Sequence, residues 1–252
     1  MLVQSCAFNV FFPPNSKIRE HLFDLEKHFQ DFQQPFSLIP LPPNAPFELP
    51  RIMATSQHGH SQMTISGNSA QIAAKYDGDY INNIQKCVGY ISDKSKSIIS
   101  ALSILEETVD VPHFYYSGIS INLLFDESDG VDNAVDYIAK KFIKSSTNLQ
   151  MDEIQFRMAL VVENAYYVNV VVQNNRSFLG QPDERGSFAE LTELKNSIQV
   201  MLDINDRYAF NKTKSYYSSE RTLERIAYLV DQFASRYMVE FIRTGEIHYD
   251  NQ

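Results

Sequence analysis

The sequence lacks tryptophan and contains only two cysteines, Cys6 and Cys87, among its 252 residues. It has no apolar run that approaches the roughly 18 to 20 residues of a membrane-spanning helix. The N-terminus has neither the basic start nor the small-residue cleavage pattern of a signal peptide. Both cysteines lie in apolar, periodic surroundings, which favours reduced, buried thiols over a disulfide or metal site. We therefore expect a cytoplasmic protein with no cofactor.

Positive charge is also scarce. Lys and Arg total 22 against 31 Asp and Glu, so the net charge is −9. This balance argues against broad, non-specific DNA binding, which depends on cationic patches that displace counterions. The charge is −4 over residues 1–126 and −5 over residues 127–252. An even spread indicates general solubility, and only the local basic segment 212–225 departs from it.

The residues that are present predict a globular fold. Hydrophobic residues make up 44 %, and 17 Phe and 14 Tyr supply large core side chains. In the first half, apolar periodicity and turn residues predict β-α-β-β-β-α. The predicted bounds are strand 2–12, helix 15–30, strands 51–56, 61–66 and 70–76, and a helix from 79 to about 105.

Between the first helix and the second strand, residues 35–50 hold six of the ten prolines. Proline lacks an amide hydrogen and fixes φ, so this segment cannot be a helix or a central strand. Its apolar residues favour a connection packed on the body of the protein. A proline-rich ligand for a partner domain is the alternative interpretation.

The second half repeats the order β-α-β-β-β-α. The predicted elements are strand 113–125, helix 131–143, strands 153–162 and 165–173 joined at Glu163-Asn164, a polar stretch 174–196, strand 197–203 and a final helix 220–242. We therefore predict an α+β fold with two tandem βαβββα units, residues 1–110 and 111–252, as two domains or one composite domain. Each unit would form a mainly antiparallel sheet with its helices packed on one face.

Several features resemble a sporadically distributed family of uncharacterised bacterial proteins. They are the early apolar strand, the Pro50-Arg51 pair that opens a strand, the long mid-chain helix and the late LDID-like strand Leu202-Asp203-Ile204-Asn205-Asp206. The second aspartate of that motif is replaced by Asn205. The resemblance implies a bacterial or phage origin and no particular activity.

Paired carboxylates mark the end of the last predicted strand. Asp203, Asp206 and Arg207 lie where the strand leaves the sheet, a common place for functional groups. Carboxylates there could bind Mg²⁺ or act as acid and base, whereas turn capping is the structural alternative. One hypothesis places Arg51, Asp203 or Arg207 in a ligand cleft between the halves.

A basic, aromatic segment follows, with Lys212, Lys214, Tyr217 and Arg221 as candidate ligand-binding residues. Cations beside aromatic rings can hold phosphate or stack a base, and this loop leads into a helix N-terminus. An ordinary surface loop is the alternative. His58-Gly59-His60 has zinc-ligand residues but lacks further ligands, so a hairpin turn is the simpler interpretation.

No phosphate loop, nucleophile elbow or zinc-protease motif is present. The leading hypothesis is therefore a non-enzymatic binding or interaction module, accessory to a toxin, immunity or defence system. Its exposed strand edges favour a protein partner or a homodimer. A small-ligand or nucleotide-binding protein, enzymatic or not, and a nucleic-acid-binding protein are the alternatives. No membrane contact is expected.

Overall fold

The computed structural model describes residues 1–42, 44–103, 114–144, 151–180 and 192–249. These residues form one nine-stranded antiparallel sheet and several helices, an α+β architecture. The strands are β1 (Leu2–Phe11), β2 (Ser37–Leu38), β3 (Pro50–Thr55), β4 (Ser61–Ser66), β5 (Ser69–Lys75), β6 (Tyr116–Phe125), β7 (Gln155–Val162), β8 (Tyr166–Leu179) and β9 (Thr192–Asn205).

The helices are α1 (Leu22–His28), α2 (Ile84–Ser103), α3 (Ala134–Ile138), α4 (Arg207–Lys212), α5 (Glu220–Gln232) and α6 (Met238–Thr244). A 3-10 turn, Ile18–His21, precedes α1, and π-helical turns follow α3 and join α5 to α6. Within the described chain, no helix has both the length and the apolar character needed to cross a bilayer.

The spatial order of the strands is β2-β3-β4-β5-β1-β6-β9-β8-β7. The strands of both halves of the sequence belong to this one sheet, because β1 and β6 pair antiparallel at its centre, with Phe8 opposite Ile119. The predicted boundary near residue 110 lies outside the described residues.

Alternating side chains divide the sheet into two faces. On one face, buried residues such as Phe8, Ile121 and Leu202 form the core beneath the helices. The other face, called the open face below, is more exposed, and Met201 in the middle of β9 is 43 % exposed. Its residues in the central strands are Ser5, Ala7, Asn9, Phe11, Gln71, Ala73, Tyr116, Gly118, Ser120, Asn122, Tyr167, Asn169, Val171, Gln173, Gln199, Met201, Asp203 and Asn205.

The two long helices cover the middle of the buried face. α2 packs on β1 and β5, α5 packs on β6 and β9, and the two helices contact each other. Both cysteines are buried and free, as predicted. Burial raises the pKa of Cys87 to about 11 and that of Cys6 further, so both thiols are protonated at neutral pH.

Several predicted bounds are wrong. The first helix does not begin at Asn15, because the chain is helical only from Ile18 and enters α1 through the 3-10 turn. The polar stretch predicted over 174–196 is strand at both of its ends: β8 continues to Leu179 and β9 begins at Thr192. The two strands pair with each other there, which satisfies the backbone without an apolar pattern. Residues 181–191 lie outside the described part.

Candidate functional site

Amide and hydroxyl side chains form hydrogen-bonded pairs across the strands of the open face. Gln71 donates to Asn9 at 2.9 Å and Asn122 donates to Ser5 at 2.8 Å. On the other side of the centre, Gln173 donates to Gln199 at 2.7 Å. Each amide has a second donor or acceptor that a bound partner can use. The open face is therefore a polar floor with ordered hydrogen-bonding groups.

Asp203 belongs to this floor. Its Oδ2 atom accepts hydrogen bonds from Asn169 Nδ2 at 2.9 Å and Asn205 Nδ2 at 2.7 Å. Partial burial raises the pKa of Asp203, and the two amides and Arg157 oppose that rise. The residue that replaces the second aspartate of the LDID-like motif, Asn205, thus binds the first one.

Helix α4 lies along one end of the open face. Ala209 N donates to Ala165 O at 3.1 Å, which holds the helix over the β7–β8 turn. Its Phe210 ring contacts Tyr116, with centroids 5.5 Å apart, and Tyr116 stacks on Phe11 at 4.4 Å. The Arg207 guanidinium lies 5.4 Å from the centre of the Tyr116 ring.

A second aromatic pair extends this end towards β8. The Tyr167 and Tyr208 rings meet edge to face at 5.3 Å. Lys212 Nζ lies 5.5 Å from the centre of the Tyr208 ring. Two cations of α4 thus lie over rings that border the polar floor. We call Phe11, Tyr116, Tyr167, Tyr208 and Phe210, with Arg207 and Lys212, the aromatic rim.

Asp206, one residue before α4, lies beneath the rim with no exposed surface. Ser117 N donates to its Oδ1 at 2.6 Å and Tyr216 Oη donates to its Oδ2 at 2.7 Å. Burial raises the pKa of Asp206, while these donors and Ser218 oppose the rise. The carboxylate is occupied by the protein itself, so its role is to join β6, β9 and the segment before α5.

Arg51 is remote from this site. Its Nη2 donates to Ala45 O at 3.2 Å and Pro46 O at 3.3 Å, and its guanidinium lies 5.8 Å from the Phe47 ring. Gly67 leaves room for this packing, since a Cβ there would meet Phe47 at 2.5 Å. Arg51 therefore holds part of the proline-rich segment on β3.

The remaining predicted site residues follow the rim along the chain. Lys214 and Tyr217 lie in the exposed connection from α4 to α5, and Arg221 is exposed in the first turn of α5. The structure thus places Asp203, Arg207 and Lys212 at one end of the sheet. Arg221 lies in α5, which belongs to the helices that cover the buried face of the sheet.

Among the concave regions that lie elsewhere, two contain residues that bear on the sequence predictions. A cleft of about 660 Å³ separates the end of α2 from the start of α5, and Lys96, Ser100, Ser103, Phe114 and Ser219 are among its lining residues. The described residues that line this cleft do not include Arg51, Asp203 or Arg207. A second cavity of about 420 Å³ contains the residues His58, His60, Tyr76, Asp77, Tyr80 and Tyr90.

The histidines of the second cavity flank a turn, as predicted. Gly59 has a φ of 75° and its N–H donates to Ser56 O at 2.9 Å. His60 Nδ1 lies 3.9 Å from Asp77 Oδ2. Across the described residues, no three His, Cys, Asp or Glu side chains are grouped closely enough to hold a metal ion.

No family model matches the chain, and no curated protein matches it. The geometry of the open face and the aromatic rim therefore carries the functional argument. The rim aromatics were missed at the sequence level because they lie on two strand ends, a hairpin and a six-residue helix. A helix of that length has too few turns for a clear apolar period.

Proposed function

We propose that this chain is a non-enzymatic binding module that takes single-stranded nucleic acid on the open face of its sheet. The observation that carries the proposal is the aromatic rim, where Arg207 lies over Tyr116 and Lys212 over Tyr208. Proteins that bind single strands combine aromatic rings that stack on bases with cations that follow the phosphates. The amides of the floor supply donors and acceptors for base edges.

The net charge of −9 is a total for the whole chain, and it does not exclude nucleic-acid binding at this end of the sheet. Asp206 is buried and hydrogen-bonded beneath the rim, so its charge is not presented to a ligand. Asp203 is bound by two amides. Arg207, Lys212 and Lys214 are exposed, which leaves a cationic end on an acidic protein. Binding is therefore expected to be moderate and confined to this end.

Fluorescence anisotropy with a labelled single-stranded oligonucleotide, and with a duplex of equal length, tests the proposal at low salt. The single strand should bind more tightly, because bases in a duplex cannot splay onto aromatic rings. Loss of one phosphate contact in Arg207→Ala should reduce the slope of log affinity against log salt by about 0.7. Absence of binding at low salt, or equal binding of the duplex, contradicts the proposal.

Two further variants locate the site. Arg243→Ala removes an exposed cation from α6 and serves as the matched control for general electrostatic attraction. Arg221→Ala tests the other candidate surface, the 212–225 segment and its helix N-terminus. If Arg221→Ala weakens binding as much as Arg207→Ala does, the nucleic acid lies on the α5 side. Co-purification of a protein from the native host, without nucleic acid, favours a protein partner instead.

The second candidate function is small-ligand or nucleotide binding between the halves, which the cleft between α2 and α5 favours. Lys96, which also pairs with Glu224 at 3.0 Å, borders it together with Glu220 and several serine hydroxyls that can donate to a phosphorylated molecule. A nucleoside triphosphate should then raise the melting temperature of the wild type, and Ser100→Phe, which fills the cleft, should abolish the shift. No shift in the wild type rejects this candidate.

The two halves also fit a tandem repeat of one βαβββα unit, with a boundary in the segment near residue 110. The spatial order β3-β4-β5-β1 in the first half is mirrored by β7-β8-β9-β6 in the second. β1 of the first half and β6 of the second pair antiparallel where the halves meet, which is the arrangement expected if a twofold axis relates the two halves. Expression of residues 111–252 alone tests this division; a unit that folds cooperatively by itself supports it, and an unfolded one contradicts it.

A further inference from the structure

We infer that strand β7 is a self-association edge, through which a second copy of this chain extends the sheet. The two edges of the sheet differ in a way that supports this inference. One edge strand, β2, has only two residues, and Pro40, Pro42 and Pro46 follow it. Short strands and prolines are common devices that prevent another chain from pairing at an edge.

β7 lacks these devices. It pairs with β8 over eight consecutive residues without a bulge, and among the described strands it has no neighbour on its other side. It contains no proline, and Arg157 is its only charged residue. A regular eight-residue edge leaves backbone N–H and C=O groups available for a complete antiparallel ladder.

The side chains of β7 are partly uncovered on both faces. On the open face, Val161 is 44 % exposed. On the helix face, Phe156 contacts Phe142 with ring centroids 5.2 Å apart, while Met158 and Leu160 are only partly buried. Ile143, next to Phe142 in the chain, is 44 % exposed. These partly exposed apolar side chains can contact the side chains of a strand that pairs with β7, and such contacts would stabilise the pairing.

The strand is complementary to itself. Two copies of β7 can pair antiparallel about a twofold axis perpendicular to the sheet, and residues opposite each other then lie on the same face. The residue on the axis faces its own copy, and Met158 or Ala159 can occupy that position. The 158-centred register places Phe156 opposite Leu160 and Arg157 opposite Ala159. The 159-centred register places Met158 opposite Leu160 and Arg157 opposite Val161. Both oppose apolar residues on the helix face, and neither places Arg157 opposite itself, so a second copy is the occupant that the strand fits.

Sedimentation velocity over a concentration series tests the inference on the full chain. The wild type should dimerise, and Ala159→Lys should raise the dimer dissociation constant about tenfold or more. The added lysine faces Arg157 in one register and itself in the other, so like charges meet in both. Ala159 is exposed, so the variant should retain the wild-type melting curve of the monomer.

Two matched variants complete the experiment. Gln62→Lys adds the same charge to an exposed open-face position of the interior strand β4, and it should leave dimerisation unchanged. Ala159→Glu distinguishes the registers: it should strengthen a 158-centred dimer through Arg157 and weaken a 159-centred one. A monomeric wild type overturns the inference, as does a dimer that Ala159→Lys and Gln62→Lys affect equally.

Discussion

Asp206 and Ser117 bind each other through both the backbone and a side chain, although 89 residues separate them in sequence. Ser117 N donates to Asp206 Oδ1 at 2.6 Å, and Asp206 N donates to Ser117 O at 3.2 Å. Tyr216 Oη adds a third hydrogen bond to the carboxylate at 2.7 Å. The pair therefore anchors the start of α4, and with it the aromatic rim, to the first residues of β6.

Replacement of this carboxylate should destabilise the fold. Asp206→Ala leaves the Ser117 amide and the Tyr216 hydroxyl without their buried partner, so the free energy of unfolding should fall by about 2 to 4 kcal/mol. Urea unfolding followed by circular dichroism measures the change. Tyr216→Phe removes only one of the donors and should cost about 1 kcal/mol. An Asp206→Ala variant as stable as the wild type would refute the anchoring role.

Replacement of Asp203, near the end of β9, should have a pH-dependent effect on stability. Burial raises the pKa of Asp203. The ionised carboxylate is therefore less favourable in the folded protein than in the unfolded chain, so its ionisation lowers the free energy of unfolding. This loss is absent below the unfolded pKa of about 3.9 and develops as pH rises through the folded pKa. Asp203→Asn keeps one oxygen for the two amide donors and removes the charge.

The stability of Asp203→Asn relative to the wild type should therefore increase from pH 3 to pH 7. Urea titrations at several pH values measure this difference. A constant difference over that pH interval would show that the charge of Asp203 carries no such cost.

The sequence allowed most of the sheet to be predicted because its strands alternate clearly. The strand predicted over 153–162 is observed as Gln155–Val162, and both residues of the predicted Glu163-Asn164 turn have positive φ. The sheet-wide arrangement could not be predicted, since the pairing of Phe8 with Ile119 joins residues over 100 positions apart. Local patterns predict that the two strands of a hairpin are neighbours, but they do not show which strands distant in sequence pair.

The candidate site was predictable only in part, for the same reason. Asp203 and Arg207 were selected because they lie at the end of a predicted strand, and Lys212 because it belongs to a basic, aromatic segment. Phe11, Tyr116 and Tyr167 could not be linked to them without the strand order. Asp206 and Arg51 were selected as candidate site residues from the sequence, but both are buried and form hydrogen bonds with other groups of the protein.

The β7–β8 turn offers a stabilising substitution. Glu163 and Asn164 have φ values of 54° and 50°, the left-handed values of a turn that the Ala165 N–H closes by donating to Val162 O at 3.1 Å. Asn164→Gly should raise the free energy of unfolding by about 0.5 kcal/mol or less, because the relief of left-handed strain is partly offset by the greater conformational entropy of glycine in the unfolded chain. Asn174→Gly, at a position within β8, is the control and should lower stability. Thermal unfolding measures both.

The other residue of this turn links the hairpin to the helix layer, and its pH dependence should be opposite to that of Asp203. Arg225 Nε donates to both carboxylate oxygens of Glu163 at 3.1 Å, and Tyr249 Oη donates at 3.0 Å. The Arg225 hydrogen bond is the main cause that lowers the pKa of Glu163. The ionised carboxylate therefore stabilises the native state above the unfolded pKa of about 4.3, and this contribution is lost as pH falls through the lower folded pKa.

Glu163→Gln should accordingly be less stable than the wild type at pH 7, by up to about 1 kcal/mol because the ion pair is partly exposed to solvent. The difference should shrink at high salt and vanish as the pH falls below the folded pKa. Tyr249→Phe keeps the ion pair and removes one donor, so it should retain most of the salt dependence. A Glu163→Gln deficit that is the same at pH 3 and pH 7 would mean that shape, rather than charge, holds the hairpin against α5.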